Sequence, residues 1–512
     1  MIKNYQNPIR RGMYPDPSIV RVGDTYYLAN STFEYYPGIA MAKSTDLLNW
    51  TSLTGVIQHP SQADLSQAKS NEGIFAVSLR YHDGHFYVIT TNFAEFKTFL
   101  IRGTLTADGQ NITWDQTRVE IDIAGIDPDI YFEAGHSYVQ FTGYLDDQGT
   151  KGIQQVEINL TTGKVLRGPE LLSYGAGGRD VEGPHIIKKD DWYYLLLAEG
   201  GTGVGHMITM LRSRSLWGPF TTEPGINPLF TNRDRANEPL QNIGHADLFQ
   251  DPQHNWWLTC LGTQPANVDF KQITNIGRET LLYPVTWDQA WPVIYQGVPT
   301  KTVDLSQFPK HAATLTQPQV LTDWTDDFDE TTLSPDWLTL RGPLDDLQLN
   351  AGQLTLPGKN RRFNDLGTPA FIGIRQAEAT ETFTLTVDPS TTLGTGKLGL
   401  ASLINADHYA AILINATDDH QYQVFRQQQI ADVQVHDLLG TLTELPTTFT
   451  LTNEPADKIF TVKTANQSLS FKTSALHLSN EGIAALNTGD IQGAYALGNA
   501  KLVLTKATRS AQ

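Results

Sequence analysis

Three carboxylates stand at the start of similar segments within the first 300 residues. Asp16, Asp127 and Glu182 each open an apolar, strand-like run. Brought together, such groups can perform acid–base chemistry. Glycoside hydrolysis, for example, needs one protonated carboxylic acid for the leaving oxygen and one carboxylate that attacks or deprotonates water. A third carboxylate can keep the acid protonated through its negative charge. The three residues therefore form a candidate acid–base centre.

Other interpretations of these acids stay open at this point. Asp16 and Asp127 each precede a proline, so either can serve only to cap a turn. Glu182 begins an apolar strand, where an unpaired carboxylate would cost several kcal/mol, so a structural role needs a nearby cation. Side chains alternate along a strand, so Asp129 shares a face with Asp127 and Asp180 shares one with Glu182. Spacing alone does not choose within these pairs.

Metal-assisted hydrolysis is the competing chemistry, because Asp, Glu and His side chains also bind divalent cations. His245, in IGHADLF, opens a further segment, and a buried histidine with a satisfied ring is its alternative. Arg278, in NIGRET, can balance negative charge or hold a sugar hydroxyl, unless it is only a solvated surface residue. The sequence has no GxSxG elbow, and its lone Cys260 lies in an apolar strand context, which argues against serine or cysteine catalysis.

The elements that position these residues repeat. Five segments share an apolar strand, a polar turn and an aromatic-rich strand, and they start at Pro15, Ala76, Ile126, Val181 and Gly244. Their spacing of roughly 50–65 residues is slightly above the roughly 40–50 of common propeller blades, and five blades around a channel fit the repeat. The innermost strand of a blade begins at the central channel, so residues at that position converge. In one register we read Asp16, Val77 or Ser78, Asp127, Glu182 and His245.

A different pattern follows the repeat. From about Trp324 the sequence consists of Thr-, Gln- and Asn-rich alternating strands such as TFTLTVDPS, which is typical of a β-sandwich. The predicted fold is therefore all-β, with a five-bladed β-propeller followed by a β-sandwich. We expect the propeller over 1–302, a linker over 303–323 and the sandwich over 324–512.

Composition limits the partners. A net charge of −18 and a pI near 5.1 repel nucleic acid and anionic membranes, whereas small neutral oligosaccharides are compatible with such a surface. One cysteine excludes an internal disulfide. The opening residues lack the apolar stretch of a signal peptide, and no run of 18 apolar residues follows. We therefore expect a cytoplasmic protein.

Five dispersed motifs resemble family 43 of the glycoside hydrolases. They are NPIRRGMYPDPSIVRVGDTYYLANSTFEYYPG, GIDPDIYF, VEGPHI, IGHADLF and GRET, in family order over about residues 7–300. The resemblance implies an inverting mechanism with Asp16 as general base, Asp127 as the residue that tunes and orients the acid, and Glu182 as general acid. The matches Gly125-Ile126-Asp127-Pro128 and Glu182-Gly183-Pro184-His185 select Asp127 over Asp129 and Glu182 over Asp180.

The same resemblance implies further site residues. Substrate binding is expected of Phe33, Phe75, His245 and Arg278, and no cofactor is required. His245 resembles the axial histidine that in some members helps to hold a hydrated calcium ion in the channel. The sandwich over 324–512 resembles the lectin-like, concanavalin A-like β-sandwich of the β-xylosidase and α-L-arabinofuranosidase branch, where it often closes the pocket and can mediate assembly into a homo-oligomer. Its weaker match near the C-terminus argues against a direct part in the pocket here.

Two departures from the family pattern bear on specificity. Phe75-Ala76-Val77-Ser78 replaces a common Trp-Ala-Pro segment and alters a sugar-stacking wall, and Asp129 replaces a small residue. We therefore expect an exo-acting α-L-arabinofuranosidase, with a β-D-xylosidase or a bifunctional enzyme as the alternative. A non-catalytic carbohydrate-binding protein is the alternative from another class. A propeller that serves as a scaffold for protein partners would need no convergent acids.

Overall fold

A computed structural model describes residues 2–321, 323–350, 352–419 and 421–511. The chain is nearly all β. Five antiparallel sheets follow one another from residue 18 to residue 294, and in each sheet the first strand lies at the edge that faces the channel. This arrangement confirms the five-bladed propeller.

The blades are built from short strands joined by tight turns. Blade one contains Ser18–Val22, Thr25–Asn30, Ala40–Ser44 and Thr51–Leu53, and blade two contains Ser78–His82, His85–Asn92, Lys97–Leu105, Ile112–Trp114 and Val119–Ile121. Blade three contains Gly125–Glu133, His136–Tyr144, Lys151–Ile158 and Val165–Ser173. Blade four contains Glu182–Lys189, Trp192–Glu199 and Met207–Ser213, and blade five contains Gln241–Gln250, Trp256–Thr263, Glu279–Asp288 and Trp291–Ile294.

Short elements complete the propeller. The pair Asn4–Gln6 and Thr302–Asp304 joins the two ends of the propeller, the hairpin Ala266–Val268 and Lys271–Ile273 extends blade five, and the helix Pro309–Thr314 follows. Apolar side chains fill the spaces between neighbouring blades, and buried Cys260 belongs to the core around blade five. No helix in the described parts of the chain is both long and apolar enough to cross a membrane.

The second unit is a sandwich of two antiparallel sheets, as predicted. One sheet contains Trp324–Asp326, Gln348–Asn350, Gln353–Pro357, Glu381–Val387, Thr448–Asn453, Asp457–Lys463, Ser468–Ser474 and Lys501–Ala511. The other contains Phe371–Arg375, Lys397–Asn405, His408–Ala416, Tyr422–Ile430, Val433–Leu442 and Ile491–Leu497. A 3₁₀-helix over Ala475–Leu478 and a short α-helix over Asn480–Ile483 precede its last two strands.

The two units are packed together through an apolar contact. Met13 and Tyr35 of the propeller lie in one buried cluster with Phe363, Tyr409 and Tyr495 of the sandwich. The strand Tyr35–Tyr36 also pairs with Thr339–Leu340. The outer face of the six-stranded sheet is thereby partly covered by the propeller, close to the segment that contains Phe33.

Glu34 makes this interface sensitive to pH. It is fully buried, and one oxygen accepts a hydrogen bond from the Asn71 N–H while the other has no partner among the described residues. Burial raises its pKa to about 7. Between pH 4.5, the ordinary pKa of a glutamic acid, and about pH 7, the folded protein keeps a proton on Glu34 that the unfolded chain releases. The free energy of unfolding therefore falls as the pH rises through that window.

We predict that Glu34→Gln removes this part of the pH dependence. Between pH 4.5 and 7, the free energy of unfolding of the wild type should fall by up to about 3 kcal/mol relative to that of the variant, with no further fall above pH 7. Urea unfolding of both proteins at several pH values measures the difference. A constant difference across the range would contradict the assignment. Exposed Glu223→Gln serves as the control.

Candidate active site

The three predicted acids meet at one end of the channel. Asp16 and Asp127 are buried, and the side chain of Glu182 is 14% exposed. His245 lies beside them, with Nδ1 3.8 Å from Oδ1 of Asp16. The starts of four inner strands thus bring these side chains together from positions up to 229 residues apart in the chain.

A backbone feature at each strand start orients these residues. Asp16, Asp127, Gly183 and His245 have φ values of 51°, 51°, 59° and 45°, in the left-handed region that non-glycine residues rarely adopt. The last three lie at irregularities in strand pairing. In blade four the left-handed residue is Gly183, so Glu182 precedes the shared register by one residue. Our prediction that Glu182 itself occupies the register is wrong.

Asp16 is held as a carboxylate. Arg278 donates from Nη1 to Oδ1 at 2.8 Å, and the Ser31 hydroxyl donates to Oδ2 at 2.7 Å. Burial by itself raises the pKa of Asp16, but the guanidinium of Arg278 and the bond from Ser31 outweigh it and lower the pKa below its ordinary value. Asp16 is therefore ionised and can accept a proton.

Asp127 has the opposite environment. Burial and the negative charges of Glu182 and Asp16 raise the pKa of Asp127 well above its ordinary value. Lys151 places Nζ 3.2 Å from Oε2 of Glu182, and the two carboxylates raise the pKa of Lys151 although burial lowers it. Asp127 is therefore a carboxyl group of raised pKa next to an ionised Asp16.

The structure separates the acids from their rivals. The Asp180 side chain is 42% exposed, and Oδ1 lies 3.8 Å from Nζ of Lys151. Asp129 is buried deeper in the channel, where it pairs with Arg80 and contacts Nδ1 of His185. Neither residue shares the position of Asp127 and Glu182.

A second layer of side chains fills the channel two residues further along the inner strands. Its members, one from each blade, are Ser18, Arg80, Asp129, His185 and Asp247. Arg80 lies at the centre, with nitrogens 2.8 Å from Asp129, 2.7 Å from Asp247 and 2.9 Å from Nδ1 of His185. We call these five residues the channel ring. One guanidinium balances two buried carboxylates beneath the candidate site.

The structure does not confirm the predicted calcium ion near His245. In the described parts of the chain, no three His, Cys, Asp or Glu side chains are arranged to hold a metal. Burial lowers the pKa of His245 to about 4, so its ring is neutral and could face a hydrated cation. However, the nearby carboxylates of Asp16, Asp129 and Asp247 already bind Arg278 and Arg80. The guanidinium groups of Arg278 and Arg80 therefore already neutralise the negative charge that would attract a cation.

The predicted aromatic residues line one side of the site. Phe33 is buried, and the guanidinium of Arg278 lies 5.5 Å from the centre of its ring. Phe75 meets Phe33 edge to face at 5.6 Å and stacks parallel to Phe93 at 4.5 Å. Of the four predicted substrate-binding residues, Arg278 and His245 lie beside Asp16. Phe33 lies against Arg278, and Phe75 packs on Phe33.

The sandwich also reaches the site. Its Asn487 carbonyl accepts a hydrogen bond of 3.4 Å from Nη2 of Arg278, and Asn275 donates to the carbonyls of Ala475 and Leu478. Glu481 accepts bonds from the N–H and hydroxyl of Thr274. The expectation that the sandwich takes no direct part in the site is therefore wrong. A sequence motif cannot show this contact, because it joins residues 209 positions apart.

Three other residues of the site were not predicted from the sequence. Arg80 stands two positions after Ser78, so period-2 alternation could have placed it in the channel. Lys151 begins the third strand of its blade and carried no such signal. His206 is buried, its Nδ1 lies 3.0 Å from the Asn242 carbonyl, and its Nε2 has no protein partner among the described residues. Burial lowers the pKa of His206 to about 4, so the ring is neutral.

Comparisons with known proteins agree with this geometry. The family model described as glycosyl hydrolases family 43 matches residues 5–292, and the beta xylosidase C-terminal concanavalin A-like domain matches residues 325–507. A non-reducing end alpha-L-arabinofuranosidase of Bacteroides ovatus is 35% identical over 97% of this chain and 92% of its own length. A xylosidase/arabinosidase of Butyrivibrio fibrisolvens is 35% identical over 72% of each chain.

A solved structure is similar over the whole length. The family 43 protein of a Bacteroides ovatus xyloglucan PUL superposes with a TM-score of 0.87 at 32% identity, and the match covers 100% of both chains. The similarity therefore includes the sandwich as well as the propeller.

We predict that Arg278→Met raises the pKa of Asp16, because burial then acts without the opposing guanidinium. Carbon-13 labelling of the aspartate carboxyl groups and an NMR pH titration measure the change, with Asp16→Asn to assign the signal. The control is Arg102→Met, which removes a half-exposed arginine from blade two. An unchanged titration of Asp16 in Arg278→Met would show that Arg278 does not set its ionisation.

Proposed function

Because the chain belongs to family 43 of the glycosyl hydrolases, we propose that it releases terminal α-L-arabinofuranosyl residues from arabino- or arabinoxylo-oligosaccharides with inversion. The observation that carries this proposal is the opposite treatment of two carboxylates in one pocket. Asp16 is held ionised by Arg278, whereas burial and the negative charges of Glu182 and Asp16 raise the pKa of Asp127. Glycoside hydrolysis needs such a pair of environments.

The reaction follows from these roles. Asp16 takes a proton from a water molecule as the water oxygen attacks the anomeric carbon. Glu182 gives its proton to the glycosidic oxygen as the bond to the anomeric carbon breaks. Buried Asp127 tunes and orients Glu182, while the neutral ring of His245 and the guanidinium of Arg278 orient the sugar and Asp16. One water is consumed, and the configuration at the anomeric carbon inverts.

Removal of a terminal sugar is supported by the closed side of the pocket. Asn487 of the sandwich lies against Arg278, and Thr488 donates to Asn71 of the propeller at 3.3 Å. A wall of this kind limits the length of chain that passes the site. The preference for arabinose is supported by the full-length similarity to an enzyme named as an arabinofuranosidase.

A β-D-xylosidase activity is the second candidate. A relative at 35% identity is named a xylosidase/arabinosidase, and the sandwich matches the C-terminal domain of beta xylosidases. Turnover of aryl α-L-arabinofuranoside and aryl β-D-xylopyranoside by the purified protein decides between the two sugars. The higher kcat/KM identifies the preferred one.

We predict that Asp16→Asn and Glu182→Gln each lower kcat by about 100- to 10,000-fold on the preferred glycoside. Glu182→Gln should affect aryl glycosides with good leaving groups less, because these need less proton donation. Exposed Asp24→Asn and Glu223→Gln serve as matched controls. Turnover that survives both active-site substitutions would refute the assigned roles. Proton NMR of the first product anomer tests inversion, and a retained anomer would refute it.

We predict that Lys151→Met moves the alkaline limb of the kcat/KM profile to higher pH. The Lys151 ammonium group, 3.2 Å from Glu182, opposes the rise in the pKa of Asp127, so its removal lets Asp127 keep its proton to higher pH. The acidic limb, which reports Asp16, should move less. The control is Lys97→Met, which removes an exposed lysine. An alkaline limb that stays in place or moves to lower pH would contradict the arrangement.

A further inference from the structure

A continuous line of aromatic rings crosses the site from the side of Asp16, the proposed general base, to the side of Glu182, the proposed general acid. Its members are Phe33, Phe75, Phe93, Phe96 and Tyr144, and we call them the aromatic arc. After the parallel pair of Phe75 and Phe93, Phe96 lies 5.8 Å from Phe93 and 6.2 Å from Tyr144 between ring centres. The arc therefore joins three blades along one side of the channel mouth.

The two ends of the arc differ in exposure. Phe33, beside Arg278, is 2% exposed, whereas Phe96 and Tyr144 are 42% and 37% exposed. Phe96 also has a φ of 51°, in the left-handed region that costs a non-glycine residue free energy. Neither burial nor backbone preference explains an exposed phenylalanine at such a position. Strained residues of this kind cluster at sites of function.

The exposed end lies on the side of the proton donor. Tyr144 is paired across neighbouring strands with Lys151, and Nζ of Lys151 lies 3.2 Å from Glu182. Glu182 protonates the departing oxygen in the proposed reaction, so the leaving group lies next to it. The buried end of the arc faces Asp16 and the sugar that is released. The exposed end therefore faces the part of the substrate that departs.

We propose that Phe96 and Tyr144 form a stacking platform for the sugar rings of the leaving group. The apolar faces of pyranose rings stack on flat aromatic side chains, and a neutral platform suits an uncharged oligosaccharide. The substrate class is then an oligosaccharide with at least one pyranose ring beyond the scissile bond. This inference rests on the proposed function, because it places the leaving group beside Glu182.

Binding energy from such remote rings contributes to transition-state stabilisation, so substrates that lack them should react more slowly. The test compares a xylotriose that carries an α-L-arabinofuranosyl group with methyl α-L-arabinofuranoside, whose leaving group cannot stack. If the enzyme prefers xylose, xylotriose and methyl β-D-xylopyranoside form the corresponding pair. The wild type should favour the oligosaccharide in kcat/KM.

Phe96→Ala and Tyr144→Ala should each lower kcat/KM for the oligosaccharide about tenfold, and leave that for the methyl glycoside within about twofold. Tyr81→Ala is the matched control, since Tyr81 is also 37% exposed but lines a cavity of about 500 Å³ at the opposite end of the channel. Thermal unfolding checks that each variant is folded.

Equal losses on both substrates, or no loss on the oligosaccharide, would overturn the platform while the proposed function stands. A wild type that turns over glycosides of neither sugar would overturn the proposed function and the platform with it. Light scattering gives an independent check. If Phe96→Ala or Tyr144→Ala dissociates an oligomer, the exposed rings belong to an interface between copies of the chain, and the platform is wrong.

Discussion

The contact on which the active site depends is the set of charge-assisted hydrogen bonds around Arg80. Five blades point polar side chains into one channel, where unpaired charges would be costly. Arg80 binds Asp129 and Asp247 and contacts His185, so blades two, three, four and five are joined at the axis. Ser18 adds blade one through its bond to Asp247. The channel ring thus holds the strand starts at fixed separations.

Above the channel ring, two aspartates have opposite pKa shifts because their neighbours differ. Asp16 and Asp127 are both buried and both have a left-handed backbone. Arg278 lies against Asp16, whereas Asp127 feels the negative charges of Glu182 and Asp16, and the nearby cation Lys151 pairs with Glu182. The positions of Arg278 and Lys151, rather than the residue type, therefore make Asp16 a proton acceptor and keep the pKa of Asp127 high.

Much of this arrangement was predictable from the sequence because it follows from local periodicity. The five segments, the alternating strands of the sandwich and the starts at Asp16, Asp127 and His245 are all features of short stretches. Glu182 was found although its register was off by one residue, because Gly183 rather than an acid adopts the left-handed conformation. Lys151 and Asn487 were not predictable, since strand pairing and domain packing bring them to the site.

The carbonyl of Asn487 gives the two domains a thermodynamic connection. It accepts a hydrogen bond from Arg278, which also holds Asp16. If a sugar that binds Arg278 binds better when Asn487 is in place, reciprocity requires that the bound sugar strengthen the packing of the sandwich on the propeller by the same factor. Substrate affinity and domain cohesion are then two measurements of one coupling free energy, and an isolated propeller would lose part of both.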